Sequence, residues 1–179
     1  GFKGSLIIPD SVILIGNYAF YKCIGFNGTL RISNSLVVIN DGTFEKCYGF
    51  KGSLKIPNSV KKIGASAFSN CYGFTDELII PDSVNSIGFS AFYKCYGFSK
   101  QLKIPNSVKT IGTYAFSYTN FSGSLKIPNS VTNVGSSAFQ YSNFTDSLLI
   151  PNSLKIIQSW TFYNCKKFSG QLIIPYSII

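Results

Sequence analysis

Histidine and methionine are absent from the sequence, and tryptophan occurs once. Without histidine, the Ser/His and Cys/His pairs that activate a nucleophile cannot form within these 179 residues. Acidic residues are also scarce: seven stand against sixteen basic ones, and the formal net charge is +9. Such an excess favours solubility and a general attraction to anionic partners. These absences argue against an enzyme and leave the identity of a partner open.

Long apolar runs are missing as well. No stretch of about 18 apolar residues occurs, so the sequence predicts no membrane-spanning segment. No charged start is followed by an apolar stretch, so no signal peptide is visible. Because the sequence begins and ends inside a repeat, we expect a fragment of a longer protein, with any targeting segment outside it.

Repetition is what the sequence has in abundance. All seven prolines occupy one column of a repeating unit, and fifteen of the sixteen phenylalanines occupy two. This self-similarity predicts a solenoid in which stacked turns bury continuous apolar columns. One Leu marks each unit, and successive markers lie 24, 24, 24, 24, 23, 23 and 24 residues apart: Leu6, Leu30, Leu54, Leu78, Leu102, Leu125, Leu148 and Leu172.

Each unit predicts the same path for the chain. Leu-x-Ile alternates like a short strand with Leu and Ile pointing inward, and the following Pro ends that strand. Asn/Asp-Ser then favours a turn. Val-x-x-Ile-Gly predicts a second extended piece, whose Gly is a candidate for positive φ. The three-residue spacing in Ala-Phe-x-x-Cys predicts a single turn of α- or 3₁₀-helix.

The consensus resembles the BspA-like leucine-rich repeats over essentially the whole chain. Their hallmark, I-P-x-S-V-x-x-I-G-x-x-A-F-x-x-C, stands here as Ile56 to Val60, Ile63-Gly64, Ala67-Phe68 and Cys71. The resemblance implies one domain over residues 1–179: a right-handed coil of about seven and a half repeats with parallel short strands.

The same resemblance implies a function in recognition. Such proteins are typically surface or secreted proteins of oral bacteria and mucosal protists, associated with adhesion to host proteins or cells. The Gly-Phe-x-Gly insertion, seen at Gly49 to Gly52, looks most like the protist versions. The family brings no catalytic residues and no cofactor to transfer, and its repeat consensus does not encode the ligand contacts.

A basic strip is the first candidate for partner binding. The variable residue between the Leu and Ile of each strand is predicted to face solvent, and four of the eight are cations. This strip suits an acidic protein patch or a sulfated or sialylated glycan, whereas the alternative is a solvated face on which Lys prevents edge aggregation. The candidate residues are Arg31, Lys55, Ile79, Lys103 and Lys126.

Tyrosines form the second candidate. Tyr48, Tyr72 and Tyr96 occupy one column in consecutive repeats. Tyr offers a large rigid contact area with a polar end, which suits binding, but rings in one column also suit a structural stack. Lys interleaved with Tyr is found in single-stranded nucleic acid binding. Arg occurs once here and no recognised module is present, so we predict no nucleic-acid partner.

Cysteines also share one column, which Thr119 and Ser142 interrupt. Zinc sites normally use close Cys pairs or Cys with His, and neither is present, so we expect no metal site. Because Thr and Ser replace Cys, the position demands a small side chain. We therefore expect free buried thiols rather than a disulfide ladder, for Cys23, Cys47, Cys71, Cys95 and Cys165.

Three N-x-[ST] sequons begin at Asn27, Asn120 and Asn143. They are compatible with an extracellular setting without establishing it, since this composition gives about three by chance. The sequence as a whole predicts a non-catalytic, extracellular or surface-exposed module for adhesion or for protein or glycan recognition, with self-association as one mode. The alternative is a structural or scaffold repeat protein, inside the cell, that assembles into a filament or larger complex.

Overall fold

A computed structural model describes residues 1–178, which coil into a solenoid of about seven turns. Two short strands recur along the coil. One begins at the marker Leu and the other lies at the Val-x-x-Ile segment. They are β1 (Leu6–Ile7), β2 (Leu30–Arg31), β3 (Val38–Ile39), β4 (Leu54–Lys55), β5 (Lys62–Ile63), β6 (Leu78–Ile79), β7 (Ser86–Ile87), β8 (Thr110–Ile111), β9 (Leu125–Lys126), β10 (Asn133–Val134), β11 (Leu148–Leu149) and β12 (Leu172–Ile173).

Every strand pair in the described residues is parallel and joins equivalent positions of adjacent repeats. The marker strands pair as β1-β2, β4-β6 and β9-β11-β12, and the second strands form one five-stranded ladder, β3-β5-β7-β8-β10. Leu54 pairs with Leu78 and Ile63 pairs with Ile87, each one repeat away. The repeat period therefore sets the register, as the sequence predicts.

The core is one continuous set of stacked columns. Phe68 is fully buried, with its ring centroid 5.3 Å from that of Phe44 and 5.5 Å from that of Phe92. Phe74 stacks in the second column on Phe98, at 5.8 Å. The marker Leu and the two Ile columns are buried beside these rings through the central turns. This arrangement confirms the predicted inward-facing columns.

The helical turn predicted at Ala-Phe-x-x-Cys is wrong: residues 1–178 contain no helix, and so none that could cross a membrane. Instead, Ser66 and Asn70 have φ of 52° and 60°, and their equivalents in every turn are also positive. The Ser69 amide bonds the Ser66 carbonyl at 3.0 Å, whereas the Phe68 amide donates to the next turn, to Ala91 O at 2.8 Å. A helix would use both amides locally and leave the neighbouring turn unpaired.

The Gly of the Val-x-x-Ile-Gly segment has another role than the one expected. Gly64, Gly88 and Gly112 do not have positive φ, so that prediction is wrong. A Cβ at Gly88 would lie 2.7 Å from the backbone carbon of Gly64, and one at Gly112 would lie 2.5 Å from that of Gly88. In these central turns the position is Gly because adjacent backbones approach too closely for a side chain, whereas Asn40 and Gln158 occupy it nearer the two ends.

Candidate binding surfaces

The predicted basic strip lies on the solvent face of the marker strands. Arg31, Lys55, Ile79, Lys103 and Lys126 are all exposed, while the Leu beside each is buried. The register places Lys55 against Ile79 and Lys126 against Leu149. The period-two alternation of a strand is the reason, since a buried Leu forces its neighbour outward. We call these five residues the strand face.

Charge is distributed unevenly along the strand face. Arg31 Nη2 donates to both carboxylate oxygens of Asp10, at 2.9 and 3.0 Å. The pKa of Asp10 is lowered, chiefly because its carboxylate accepts from the Asn34 backbone amide. Lys103 lies 3.9 Å from Glu77. Among residues 1–178, Lys55 and Lys126 have no carboxylate within ion-pairing distance, so their charges are uncompensated.

A column made mostly of asparagines, with Asp10 and Asp82 in two turns, borders the strand face, and its part in the site was missed by the sequence analysis. These residues follow the proline column and were interpreted there only as turn formers. Shallow grooves run between them and the cations: one is lined by Arg31, Asn34, Lys55 and Asn58, and another by Lys126 and Asn129. The recurring P-N-S triplet beside a variable Lys was the signal that could have shown this.

Tyr48, Tyr72 and Tyr96 come together as a stack. The first two ring centroids are 4.7 Å apart and nearly parallel, and Tyr72 and Tyr96 are 6.4 Å apart with a 35° tilt. Tyr72 and Tyr96 remain exposed, and partial burial raises the pKa of Tyr96. None of the three lines the grooves beside the strand face. They form a separate surface whose geometry suits a structural ladder.

A larger aromatic surface lies on another segment of the turn, where aromatic residues occupy variable positions of the repeat outside the Tyr48 column. Its rings contact one another in a single path across four successive turns, with centroid distances between 4.6 and 6.2 Å. In path order they are Phe89, Tyr114, Tyr93, Tyr118, Tyr141, Tyr163 and Trp160. Five of these rings, all except Tyr141 and Tyr163, line an open cleft of about 440 Å³. We call these seven rings and this cleft the aromatic cup.

Polar groups form the floor of the aromatic cup. Ser90 and Gln140 line the cleft, and Gln140 is 8% exposed. Ser117, buried beneath, donates through Oγ to the Gln140 carbonyl at 3.1 Å. The Lys94 ammonium lies over the Tyr93 and Tyr118 rings, 5.3 and 5.7 Å from their centroids. Partial desolvation by the neighbouring rings raises the pKa of Tyr141.

All five cysteines are free thiols in the structure. Cys47, Cys71 and Cys95 are buried, while Cys23 and Cys165 are half-buried. Burial raises the pKa of Cys47 and of Cys95 to about 12. No cluster of potential metal ligands occurs among residues 1–178.

The three sequons differ in what their side chains do. Asn27 is exposed and uses Oδ1 to accept from the Gly4 amide at 2.8 Å. Asn120 Nδ2, the atom that would carry a glycan, instead donates to Tyr96 O at 2.6 Å, and Asn143 Nδ2 donates to Asn120 Oδ1. Both replace the Tyr-Gly pair of longer repeats, so their amides bridge the two shortened turns. Asn27 is therefore the sequon best placed to accept a glycan.

A family model for the BspA type leucine rich repeat region matches six copies in the chain, over residues 4–95 and 49–169. Together these ranges cover most of the sequence. No curated protein matches the chain.

Three solved structures share the fold. A leucine-rich repeat protein from Bacteroides ovatus matches with a TM-score of 0.70 at 25% identity, covering 97% of this chain and 50% of that one. The T. pallidum leucine rich repeat protein gives 0.61 at 24% identity, with 94% and 68% covered. Pneumococcal vaccine antigen PcpA gives 0.57 at 18% identity, with 98% and 49% covered. The chain thus spans about half the length of the first.

Proposed function

This chain belongs to the BspA-type leucine-rich-repeat family, a kind of repeat that serves in protein interaction, and we propose that it is a non-catalytic adhesion or recognition module. Its partner is an acidic protein patch or an anionic glycan, sulfated or sialylated. It acts at the cell surface or outside the cell, and the strand face carries the contact.

The observation that carries this proposal is the pair of uncompensated cations beside asparagine-lined grooves. Lys55 lies next to Asn58 and Lys126 next to Asn129. Ammonium and amide N–H groups are donors, which match the acceptor oxygens of carboxylate and sulfate. Each exposed charge contributes little alone. Repeated in register over several turns, the charges engage a polyanion together, and their small free-energy contributions add.

The extracellular setting rests on the placement that is typical of this family, and the exposed Asn27 sequon is compatible with it. Surface biotin labelling of intact cells would test it. Labelling, or a glycan on Asn27, supports the recognition module. A purely cytoskeletal fraction with concentration-dependent association in sedimentation supports the rival, a scaffold repeat protein that assembles into a filament.

The strand face is tested by charge removal. We expect Lys55→Ser, Lys103→Ser and Lys126→Ser together to weaken binding to immobilised heparin about tenfold, or roughly 1.4 kcal/mol, because three exposed cations at a few tenths each sum to that range. The measurement is the apparent Kd against salt concentration. The weakening should fade at high salt, where exposed charges are screened.

A matched control separates the strand face from net charge. Lys61, Lys109 and Lys155 are exposed and lie in one column of the second extended piece. Replacing these three by Ser removes the same charge from another part of the turn. Equal loss in the two triple variants would mean that heparin reads the overall charge, and the proposed site would be rejected.

A further inference from the structure

The aromatic cup has the construction of a second binding site. Its rings come from four successive turns, yet they sit at positions that vary from repeat to repeat. The cleft shares no lining residue with the grooves of the strand face. Trp160 and Phe89 stand 65% and 52% exposed at its rim. Large aromatic side chains left open in this way are typical of recognition surfaces.

A second observation points into the cleft. Gln140 lines the floor and is 8% exposed. Within residues 1–178 no residue bonds its side-chain amide, and the amide atoms remain accessible to solvent. A ligand in the cleft would replace solvent as their hydrogen-bond partner. The amide offers both donor and acceptor atoms, which suits a ligand that carries hydroxyl groups.

We propose that the aromatic cup binds a neutral oligosaccharide. A sugar ring presents C–H groups on its faces, which pack on the electron-rich faces of aromatic rings, and hydroxyl groups at its edges, which need polar partners. The lining is aromatic and polar, with no aliphatic side chain and no carboxylate. The residues that line the cleft carry no formal charge, and the adjacent Lys94 lies over the Tyr93 and Tyr118 rings. This site is independent of the proposal for the strand face.

Trp160 provides the readout, because it is the single tryptophan of the chain. The chain is first screened on an array of neutral glycans. It is then titrated with the glycan that binds most strongly and, separately, with a decaproline peptide, while Trp fluorescence is recorded. We expect a saturable emission change with the glycan and none with decaproline. Gln140→Ala should weaken glycan binding at least fivefold while leaving the emission of the unliganded protein unchanged.

Tyr18 supplies a matched control for Trp160. Both occupy the same column with positive φ, both are more than half exposed, and each ring contacts a second Tyr at about 6 Å. By calorimetric titration, Trp160→Asn should abolish glycan binding and Tyr18→Asn should leave it unchanged. Circular dichroism and thermal unfolding verify that each variant is folded.

Three outcomes would overturn the proposal: no neutral glycan binds, both Asn variants bind equally well, or decaproline saturates the site in place of glycan. Trp160→Asn should leave heparin binding unchanged. The proposal for the strand face and the proposal for the aromatic cup can therefore be rejected independently of each other.

Discussion

The cysteine column shows what a single position in each turn must supply. Cys71 Sγ donates to Phe44 O of the preceding turn at 2.9 Å, and Cys95 donates likewise to Phe68 O at 3.1 Å. Where Cys is replaced, Ser142 Oγ makes the equivalent bond to Phe116 O at 3.0 Å. The sequence suggested that the position requires a small side chain. The structure adds that these side chains also supply a hydrogen-bond donor to a Phe carbonyl. In the Cys turns that carbonyl already accepts the backbone amide three residues later, as Phe44 O does from Cys47 N at 3.1 Å, so the thiol is its second donor.

Thiol reactivity follows from this burial. Because burial disfavours the charged thiolate, we expect Cys47, Cys71 and Cys95 to react with a thiol reagent at pH 8 only as fast as the protein opens. The raised pKa also sets the direction in which stability depends on pH. An unfolded thiol ionises above about pH 9.0, while folded Cys47 holds its proton to about pH 12. Unfolding therefore releases protons in this range, and the free energy of unfolding falls as the pH rises through it.

Reaction kinetics with and without urea measure the thiol reactivity, and urea unfolding at a series of pH values measures the change in stability. Five thiols should react promptly in urea, and a slow class of three should appear in the native protein. Rapid native reaction of Cys71 would show that its column is open to solvent.

Backbone strain can be tested at Ser66. Its φ of 52° lies in the left-handed region, its side chain is half-buried, and the equivalent residue one turn earlier is Gly42. We expect Ser66→Val to lower the free energy of unfolding by about 1–2 kcal/mol, because β-branched residues are strained there. Ser66→Gly should change it by less than about 0.5 kcal/mol, since relief of strain offsets the added freedom of the unfolded chain. Urea unfolding monitored by circular dichroism compares the two, and equal stabilities would contradict the assigned geometry.

At the scale of the element, the stacked phenylalanine columns are the main stabilising feature. Each central ring lies between two others at about 5.5 Å, nearly parallel. Backbone hydrogen bonds such as Phe68 N to Ala91 O also join successive turns, but each has a net contribution of only about 0.5–1.5 kcal/mol. The columns therefore bind neighbouring turns to one another, since a single turn cannot bury its own rings.

Truncation of one ring measures this contribution. Phe68→Ala should lower the free energy of unfolding by about 3–5 kcal/mol, because a fully buried aromatic side chain leaves a cavity. Phe89→Ala, at a position 52% exposed, is the control and should cost less than about 1 kcal/mol. Chemical denaturation gives both values. A loss under about 1 kcal/mol for Phe68→Ala would show that the column is not packed.

The elements also show where sequence reasoning reaches its limit. The strands and the core followed from period alone, because Leu54, Ile63 and Phe68 recur in every repeat and must share one interior. The segment from Ala67 to Cys71 was predicted to be helical because three-residue spacing also fits a helix. The partner of the Phe68 amide is Ala91, 23 residues away, and local spacing contains no information about such a bond.

At the scale of the whole molecule, stacking creates surfaces that no single repeat contains. The strand face was predictable because one column supplies it. The aromatic cup was not, since Phe89, Tyr118 and Trp160 belong to different columns of different turns, and their adjacency appears only when the coil is built. Phe89, the single Phe outside the two recurrent columns, was the available signal.

Because residues at equivalent positions of adjacent repeats pair with each other, whole repeats can be lost or gained during evolution. Strand partners always lie one repeat apart, so deleting or duplicating a full repeat would rejoin like with like and leave the interior intact. Unequal recombination between near-identical repeats would therefore move the two surfaces relative to other parts of the coil in steps of about 4.8 Å. The length of the coil, and with it the distance between its binding surfaces, would then change in evolution without any change in the side chains that contact a partner.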